Sequence, residues 1–360
     1  MQYLILEDGS IYAGESFGAK IESEGEVVFT TGMTGYQEAI TDQSYANQIL
    51  VFTNPLIGNY GVCLADNESL NPQIKGVICH QVARYPDNWR MQESLPEFLQ
   101  KRNIPAIQGI DTRSLVKKLR LHGTLNGKIA SSKEQAEKIA AELREKNLTQ
   151  HIIKQVSTKS PYPVPGSQRN IVVIDFGLKN SILKELTKRN CNCIVLPFSA
   201  SSQEVLNLHP DGVLLSNGPG DPEEMQEAVK MVQEVEKHIP LFGICMGHQV
   251  FALANGAKTY KMKFGHRGFN HPVKEIATGK IGFTSQNHGY AVAEDSIDFQ
   301  NLMVTYKEIN DNTVEGLRHK KYPAFSVQFH PDATPGPYDE VSLFDEFMMM
   351  IDNFKGAKNA

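Results

Sequence analysis

Cysteine is scarce in this sequence, and none of the cysteines has the spacing of a metal-binding or redox motif. Five cysteines occur among 360 residues, without a CxxC pair, so the disulfide framework of a small secreted domain is excluded. His266 and His271 flank a glycine-rich stretch, but their separation without a cysteine or carboxylate partner is weak evidence for a metal site. The sequence therefore predicts a reduced, cytoplasmic protein without a bound metal.

Long apolar runs and an excess of basic charge are also missing. No run approaches the ~20 apolar residues that cross a bilayer, and residues 1–9 lack the basic segment and apolar core of a signal peptide. The formal net charge is −5, and lysine and arginine are scattered along the chain. These features predict neither a membrane partner nor a nucleic-acid partner.

A proline-rich segment divides the chain into two halves. Residues 154–168 contain three prolines and a glycine without periodicity, which predicts a linker between a domain at 1–153 and another at 169–356. After the linker, apolar β-branched runs such as residues 170–175 alternate with helical patterns. This alternation favours an α/β fold with a doubly wound, mostly parallel sheet.

The first half is predicted to be a separate mixed α/β domain. Ser132 and Gln135 have the spacing of a capping box, which predicts a helix from 132 to about 146. No nucleophile in this half is accompanied by a base, so its residues alone indicate no chemistry.

One cysteine lies at the centre of a nucleophile motif. Residues 239–249 begin as an apolar strand, continue as Gly-Ile-Cys-Met-Gly and lead into a helical pattern. Glycines two places on either side of a nucleophile allow a sharp strand-to-helix turn that holds the side chain at its apex. A helix N-terminus also favours a thiolate. Cys245 is therefore predicted to attack a carbonyl carbon, with a buried structural cysteine as the alternative.

A histidine near the end of the chain is the candidate base. Residues 324–329 form an apolar strand pattern that ends in His330, Pro331 and Asp332. A cysteine nucleophile needs a base within hydrogen-bonding reach, and the base needs an orienting group behind it. Because the ends of neighbouring parallel strands form one ligand crevice, Cys245, His330 and Asp332 are predicted to form a triad.

With these motifs, the chain resembles the class I, triad-type glutamine amidotransferases and, within them, the family of carbamoyl phosphate synthetase small subunits. The similarity covers nearly the whole chain. The supporting runs are residues 33–38, 41–45, 109–113, 215–222, 263–268, 285–290 and 334–339.

The resemblance implies that the chain hydrolyses L-glutamine. Cys245 forms a glutamyl thioester, His330 transfers protons, and Asp332 orients the imidazole. Ammonia passes to the carbamoyl phosphate synthetase large subunit, which uses ATP, Mg²⁺ and bicarbonate, so no cofactor or metal is expected in this chain. The N-terminal domain is implied to contact that partner. Backbone N–H groups near Gly218 and at Met246 form the implied oxyanion hole.

Glutamine binding maps by the same similarity to residues of both halves. N–H groups next to glycines and a hydroxyl can donate hydrogen bonds to the α-carboxylate of glutamine. Side-chain amide and backbone carbonyls can accept hydrogen bonds from its ammonium group. The implied residues are Ser44, Gly218, Gly220, Met246, Gln249, Asn287, Gly289 and Tyr290.

One position departs from the family, which usually has glutamate two residues after the histidine. Asp332 is one methylene shorter, and we expect catalysis to survive with a changed orientation of His330. Three other functions stay open: a glutaminase subunit of an anthranilate or nucleotide synthetase, a non-catalytic scaffold subunit, and a cysteine peptidase.

Overall fold

The computed structural model describes residues 1–359, with side chains to residue 357. The chain forms two compact units, one at Met1–Ile152 and a second that begins at Ile153. No helix in the described part of the chain combines the length and apolar character needed to cross a membrane.

The first unit is built around a closed barrel. Its strands are β1 (Gln2–Leu6), β2 (Ile11–Ser16), β3 (Ser23–Thr30), β4 (Gln48–Phe52), β5 (Leu56–Ile57), β6 (Gly76–Ile78), β7 (Gln81–Val82), β8 (Ala106–Gln108) and β9 (Leu125–Ala130). The barrel order is β1-β2-β8-β6-β4-β3-β9, and β5 pairs separately with β7. The helices are α1 (Tyr36–Thr41), α2 (Leu95–Lys101), α3 (Thr112–His122) and α4 (Ala136–Glu145). Strands and helices mix within this unit, as the sequence predicts.

The second unit contains a ten-stranded sheet. Its strands are β10 (Tyr162–Val164), β11 (Asn170–Asp175), β12 (Asn192–Pro197), β13 (Gly212–Leu215), β14 (Leu241–Ile244), β15 (Thr259–Glu275), β16 (Ile281–Val292), β17 (Leu302–Glu308), β18 (Val314–His319) and β19 (Ala324–Val327). The order is β10-β12-β11-β13-β14-β19-β18-β16-β15-β17. Strands β12, β11, β13, β14 and β19 are parallel neighbours, whereas β15 to β18 extend the sheet with antiparallel pairs.

Helices cover both faces of the parallel strands. They are α5 (Ile153–Val156), α6 (Asn180–Lys188), α7 (Ser202–Asn207), α8 (Gln226–Val235), α9 (Met246–Ala254) and α10 (Leu343–Asn359). Val205, Val232 and Val250 bring α7, α8 and α9 into one buried apolar cluster, while Ile182 and Phe347 bring α6 and α10 into another. Continuous apolar strands suit a sheet that is covered on both faces, and the predicted α/β, doubly wound class is confirmed.

Two local features differ from the sequence-based predictions. The segment predicted as a linker carries α5 and β10, and β10 pairs with the edge of the sheet. The predicted capping box is wrong, because α4 begins at Ala136 and its N-cap, Gln135, makes no side-chain hydrogen bond. The Ser132 hydroxyl instead accepts a hydrogen bond from the Glu134 amide in a local turn (3.1 Å).

Candidate active site

Cys245 lies at the corner between β14 and α9. Its backbone has φ 55° and ψ −104°, a conformation that is strained for a non-glycine residue and that persists only where its surroundings fix it. Its N–H donates to the carbonyl of Val327 (2.9 Å), at the end of β19. The side chain, 2% exposed, places Sγ 3.8 Å from the carbonyl oxygen of Asn287.

The two glycines of the motif are required by close backbone approaches. A Cβ atom on Gly243 would lie 2.6 Å from the carbonyl oxygen of Gly247, and a Cβ atom on Gly247 would lie 2.4 Å from that of Leu215. Neither contact can be relieved by rotating a side chain, because the obstructing atoms belong to the backbone. The glycines therefore allow β14, α9 and β13 to meet at the turn that carries Cys245.

His330 follows β19, the parallel neighbour of β14, so Cys245 and His330 lie at the carboxyl ends of adjacent strands. The His330 N–H donates to the carbonyl of Ser285 on β16 (2.9 Å), which fixes the backbone beside the antiparallel extension. The imidazole is almost fully buried. Its Nδ1 lies 3.5 Å from Oδ1 of Asp332, which is longer than an ordinary hydrogen bond of this type.

The other oxygen of Asp332 is held by two groups from the loop and helix that follow β11. Lys179 Nζ lies 2.6 Å from Oδ2, and the Ser181 hydroxyl donates to the same oxygen at 2.7 Å. Lys179 also donates to the carbonyl of Thr334 (2.6 Å). Lys179 and Asp332 are both buried, so their charges compensate each other away from solvent.

The charges of these groups set the protonation of the site. Burial raises the pKa of Asp332, but the positive charges of Lys179 and His330 outweigh it and hold that pKa far below its usual range. Burial also lowers the pKa of His330, but Asp332 and the nearby Cys245 thiol raise it to about 10. Asp332 is therefore an anion, and the protonated form of His330 is strongly favoured.

Sequence reasoning missed Lys179 and Ser181. They lie 153 and 151 residues before Asp332 in the chain, in a segment that carries no recognisable catalytic motif. The available signal was their position directly after the buried strand β11, because polar residues at the carboxyl ends of parallel strands face one crevice.

Two of the predicted glutamine-binding glycines lie in the loop after β13. A Cβ atom on Gly218 would meet the carbonyl oxygen of Phe176 at 2.0 Å, and Gly220 has φ 96° with open space beside it. The loop is fixed to the Cys245 turn, because the N–H of Gly247 donates to the carbonyl of Ser216 (3.0 Å). Met246, which follows the nucleophile, is the first residue of α9.

The remaining candidates from this unit are on α9 and β16. Gln249 Nε2 donates to the carbonyl of Tyr290 (2.9 Å) and to Oε1 of Gln328 (3.0 Å), so its amide oxygen is the group that is left for a ligand. Asn287 is buried with its carbonyl toward the thiol, whereas Gly289 and Tyr290 are half-buried. Helix α9 and β16 therefore meet beside the nucleophile.

Ser44 is the one candidate from the first unit. It lies in a short 3₁₀ helix, Gln43–Tyr45, and its N–H donates to the side chain of Asp42 (2.8 Å). The Ser44 residue is buried. Its part in glutamine binding stays a prediction.

Comparison with known proteins assigns a family to each half. The family model for the CPSase domain of the carbamoyl-phosphate synthase small chain matches residues 4–129, and the class I glutamine amidotransferase model matches residues 172–350. A solved structure of a putative GMP synthase protein from Thermoplasma acidophilum covers 54% of this chain and 99% of that chain at 21% identity, with a TM-score of 0.47. This TM-score is too low to support a shared fold by itself.

Sequence similarity to curated proteins extends over almost the whole chain. The carbamoyl phosphate synthase small chain of Streptococcus mutans is 58% identical over 352 residues, which cover 98% of this chain and 97% of that protein. The small chain of Lactococcus lactis subsp. lactis is 57% identical and covers 98% of each chain. The resemblance read from the motifs is thus confirmed, and the chain belongs to the carbamoyl phosphate synthase small chain family, with a class I glutamine amidotransferase domain in its second half.

Proposed function

We propose that this chain is the glutamine-hydrolysing subunit of a carbamoyl phosphate synthetase. It releases ammonia from L-glutamine and passes it to a large subunit, which makes carbamoyl phosphate from bicarbonate, ammonia and ATP. The observation that carries the proposal is the strained turn at Cys245, which lies beside a buried imidazole backed by a carboxylate. Family membership supports the same activity.

The first half of the reaction forms a thioester. Cys245 Sγ attacks the side-chain amide carbon of glutamine after its proton has passed to His330, whose protonated form the site favours. The Sγ–C bond forms first and gives a tetrahedral oxyanion; the C–N bond then breaks as the C=O bond re-forms and His330 gives the proton to the departing ammonia. The N–H of Met246, in the first turn of α9, and an N–H near Gly218 stabilise the oxyanion. The N–H of Gly247 does not, because it already donates to Ser216.

The second half hydrolyses the thioester. His330 removes a proton from water, the hydroxide attacks the same carbon, and the returning proton restores the thiol as glutamate leaves. Throughout, Asp332 holds Nδ1 of the imidazole and stabilises its positive charge. Lys179 and Ser181 hold the other oxygen of Asp332, so that Oδ1 stays directed toward the ring.

Substrate recognition is proposed to use the polar groups around this turn. The amide oxygen of Gln249 and the backbone carbonyls near Asn287 suit the glutamine ammonium group, whereas N–H groups at Gly218 and Gly220 suit its carboxylate. Gly289, Tyr290 and Ser44 complete the proposed set.

The synthetic step is assigned to the partner. ATP, Mg²⁺ and bicarbonate are proposed to bind the large subunit, and the first unit of this chain, residues 1–152, is proposed to contact it. Because all five cysteines are free thiols, we also expect the chain to work in the reducing cytoplasm.

The test is ammonia release from glutamine by the isolated chain, by Cys245→Ser and by a matched control, Cys63→Ser, which changes a half-buried cysteine of the other unit. Weak activity is expected in the wild type and in the control, none in Cys245→Ser, and a rise when a carbamoyl phosphate synthetase large subunit is added. Wild-type turnover by Cys245→Ser would refute the mechanism. Peptide cleavage without glutamine hydrolysis would identify a peptidase instead.

A further inference from the structure

A second cluster of chemistry-bearing side chains is buried in the antiparallel part of the sheet. His266 on β15 lies directly opposite His288 on β16, and their rings meet edge to face at 4.9 Å. Glu315 on β18 is fully buried beside them. Its Oε1 lies 3.6 Å from His266 Nδ1 and 3.8 Å from His288 Nε2, and the three ligand atoms lie within 4.8 Å of one another.

The outward nitrogen of each ring is held by an acceptor. His266 Nε2 lies 2.8 Å from a carboxylate oxygen of Asp311, and His288 Nδ1 lies 2.8 Å from the carbonyl of Tyr290. An acceptor at one ring nitrogen keeps a proton there, which leaves the other nitrogen to direct its lone pair inward when the ring is neutral. Metal-binding histidines in proteins are oriented by this kind of outer hydrogen bond.

The inward nitrogens lack suitable hydrogen-bond partners. Nδ1 of His266 is buried and makes no hydrogen bond. Nε2 of His288 lies 3.0 Å from Oε1 of Gln286, whose amide nitrogen donates to Glu315 (3.0 Å) and to Thr284. Both nitrogens of His288 thus face oxygen acceptors, and a neutral imidazole carries only one proton.

We propose that His266 Nδ1, His288 Nε2 and Glu315 Oε1 bind a divalent transition-metal ion, with Zn²⁺ as the expected ion. Two imidazoles and one carboxylate form a known zinc ligand set, in which the fourth position is taken by water or another oxygen. Oε1 of Gln286 is placed to occupy it. Ligand atoms around zinc lie about 3.3 Å apart, given bonds of about 2.0 Å. The two separations from Glu315 Oε1 therefore need to shorten by tenths of an ångström, and the two imidazole nitrogens, which lie within 4.8 Å of each other, need to approach as well.

The charge of the cluster fits this assignment. The carboxylates of Asp311 and Glu315 together balance a dication that is withdrawn from solvent. Without an ion, burial lowers the pKa of His266, but the nearby carboxylates of Asp311 and Glu315 raise it to about 10. The ion therefore competes with one proton at this ring, and its binding should tighten as the pH rises.

The position of the cluster links it to the active site. The ion would connect β15, β16 and β18, and β16 also carries the proposed glutamine-binding residues Asn287, Gly289 and Tyr290. The carbonyl of Tyr290 accepts from both His288 and Gln249, which ties the cluster to α9. The proposal replaces the sequence-based expectation of no metal.

The test loads metal-free full-length chain with Co²⁺, which reports coordination through its visible spectrum, and with Zn²⁺ for affinity. We expect one ion per chain, intense d–d bands of tetrahedral cobalt and a raised Tm. Glu315→Gln should weaken Zn²⁺ binding at least ~100-fold. Asp311→Asn, which changes only an outer partner, should weaken it about 10- to 100-fold.

Two control variants assign the ion to the cluster. His209→Asn changes an exposed histidine whose positive φ of 46° asparagine tolerates, and it should bind as the wild type does. Cys245→Ser should also keep the ion. No spectrum and no Tm shift in the wild type would overturn the proposal, as would binding that disappears in Cys245→Ser or persists unchanged in Glu315→Gln. The visible spectrum of the Co²⁺-loaded wild type tests the metal-binding proposal even if Glu315→Gln fails to fold.

Discussion

Variants of the buried Lys179–Asp332 ion pair can test the orientation of His330 and the stability of the fold separately. Asp332→Asn keeps the side-chain shape but removes the charge that faces Nδ1 of His330. A hydrogen bond between the imidazolium and this carboxylate, formed when the 3.5 Å separation shortens during the reaction, contributes about 1.5–3 kcal/mol. At 1.36 kcal/mol per tenfold, kcat for glutamine hydrolysis should therefore fall roughly 10- to 150-fold, with little change in KM.

The same substitution leaves the ammonium of Lys179 buried without its counter-ion, since the nitrogen lies 2.6 Å from the carboxylate. Breaking a buried ion pair in this way costs about 3–5 kcal/mol of unfolding free energy. The double variant Asp332→Asn/Lys179→Met contains no unpaired charge there. We expect it to recover most of the stability but none of the lost kcat.

The assay combines urea unfolding with steady-state ammonia release for the wild type, both single variants and the double variant. Lys179→Met alone serves as the matched control, because it keeps the Asp332 carboxylate and the Ser181 hydrogen bond. If the double variant regained wild-type kcat, Asp332 would act through folding and not by orienting the imidazole. Unchanged kcat in folded Asp332→Asn would remove Asp332 from the triad.

Two further perturbations test the turn and the base. Gly247→Ala should lower the unfolding free energy by about 1–3 kcal/mol and abolish most glutaminase activity, because the added methyl meets the carbonyl of Leu215. The control Gly356→Ala in α10, where a Cβ atom meets nothing, should leave activity unchanged and raise the unfolding free energy by up to about 1 kcal/mol. His330 contributes stability that is fully present below pH 6.5 and is lost as the pH rises toward about 10, since its folded pKa is raised. The unfolding free energy of the wild type minus that of His330→Asn should therefore decrease over this range, and a constant difference in urea titrations would contradict the raised pKa.

Much of the second unit follows from local sequence. The predicted strand at 170–175 coincides with β11, because an unbroken β-branched run suits a strand that is covered on both faces. The strand before Cys245 and the helix after it are also as predicted. The edge strand β10 escaped prediction because its prolines indicate a linker, yet an outer strand needs only one row of hydrogen bonds.

The sequence by itself determined the turn that presents the nucleophile. Its glycines, its cysteine and its flanking strand and helix are neighbours in the chain, so their spacing carries the geometry. Only the tertiary structure decided what surrounds Asp332 and Glu315. Lys179, Ser181, His266 and the carboxylates they face come from strands, a helix and loops that are far apart in the chain. Their partnership depends on strand order and burial, which local patterns do not encode, because a charge is held in the interior only where folding brings its partner to it.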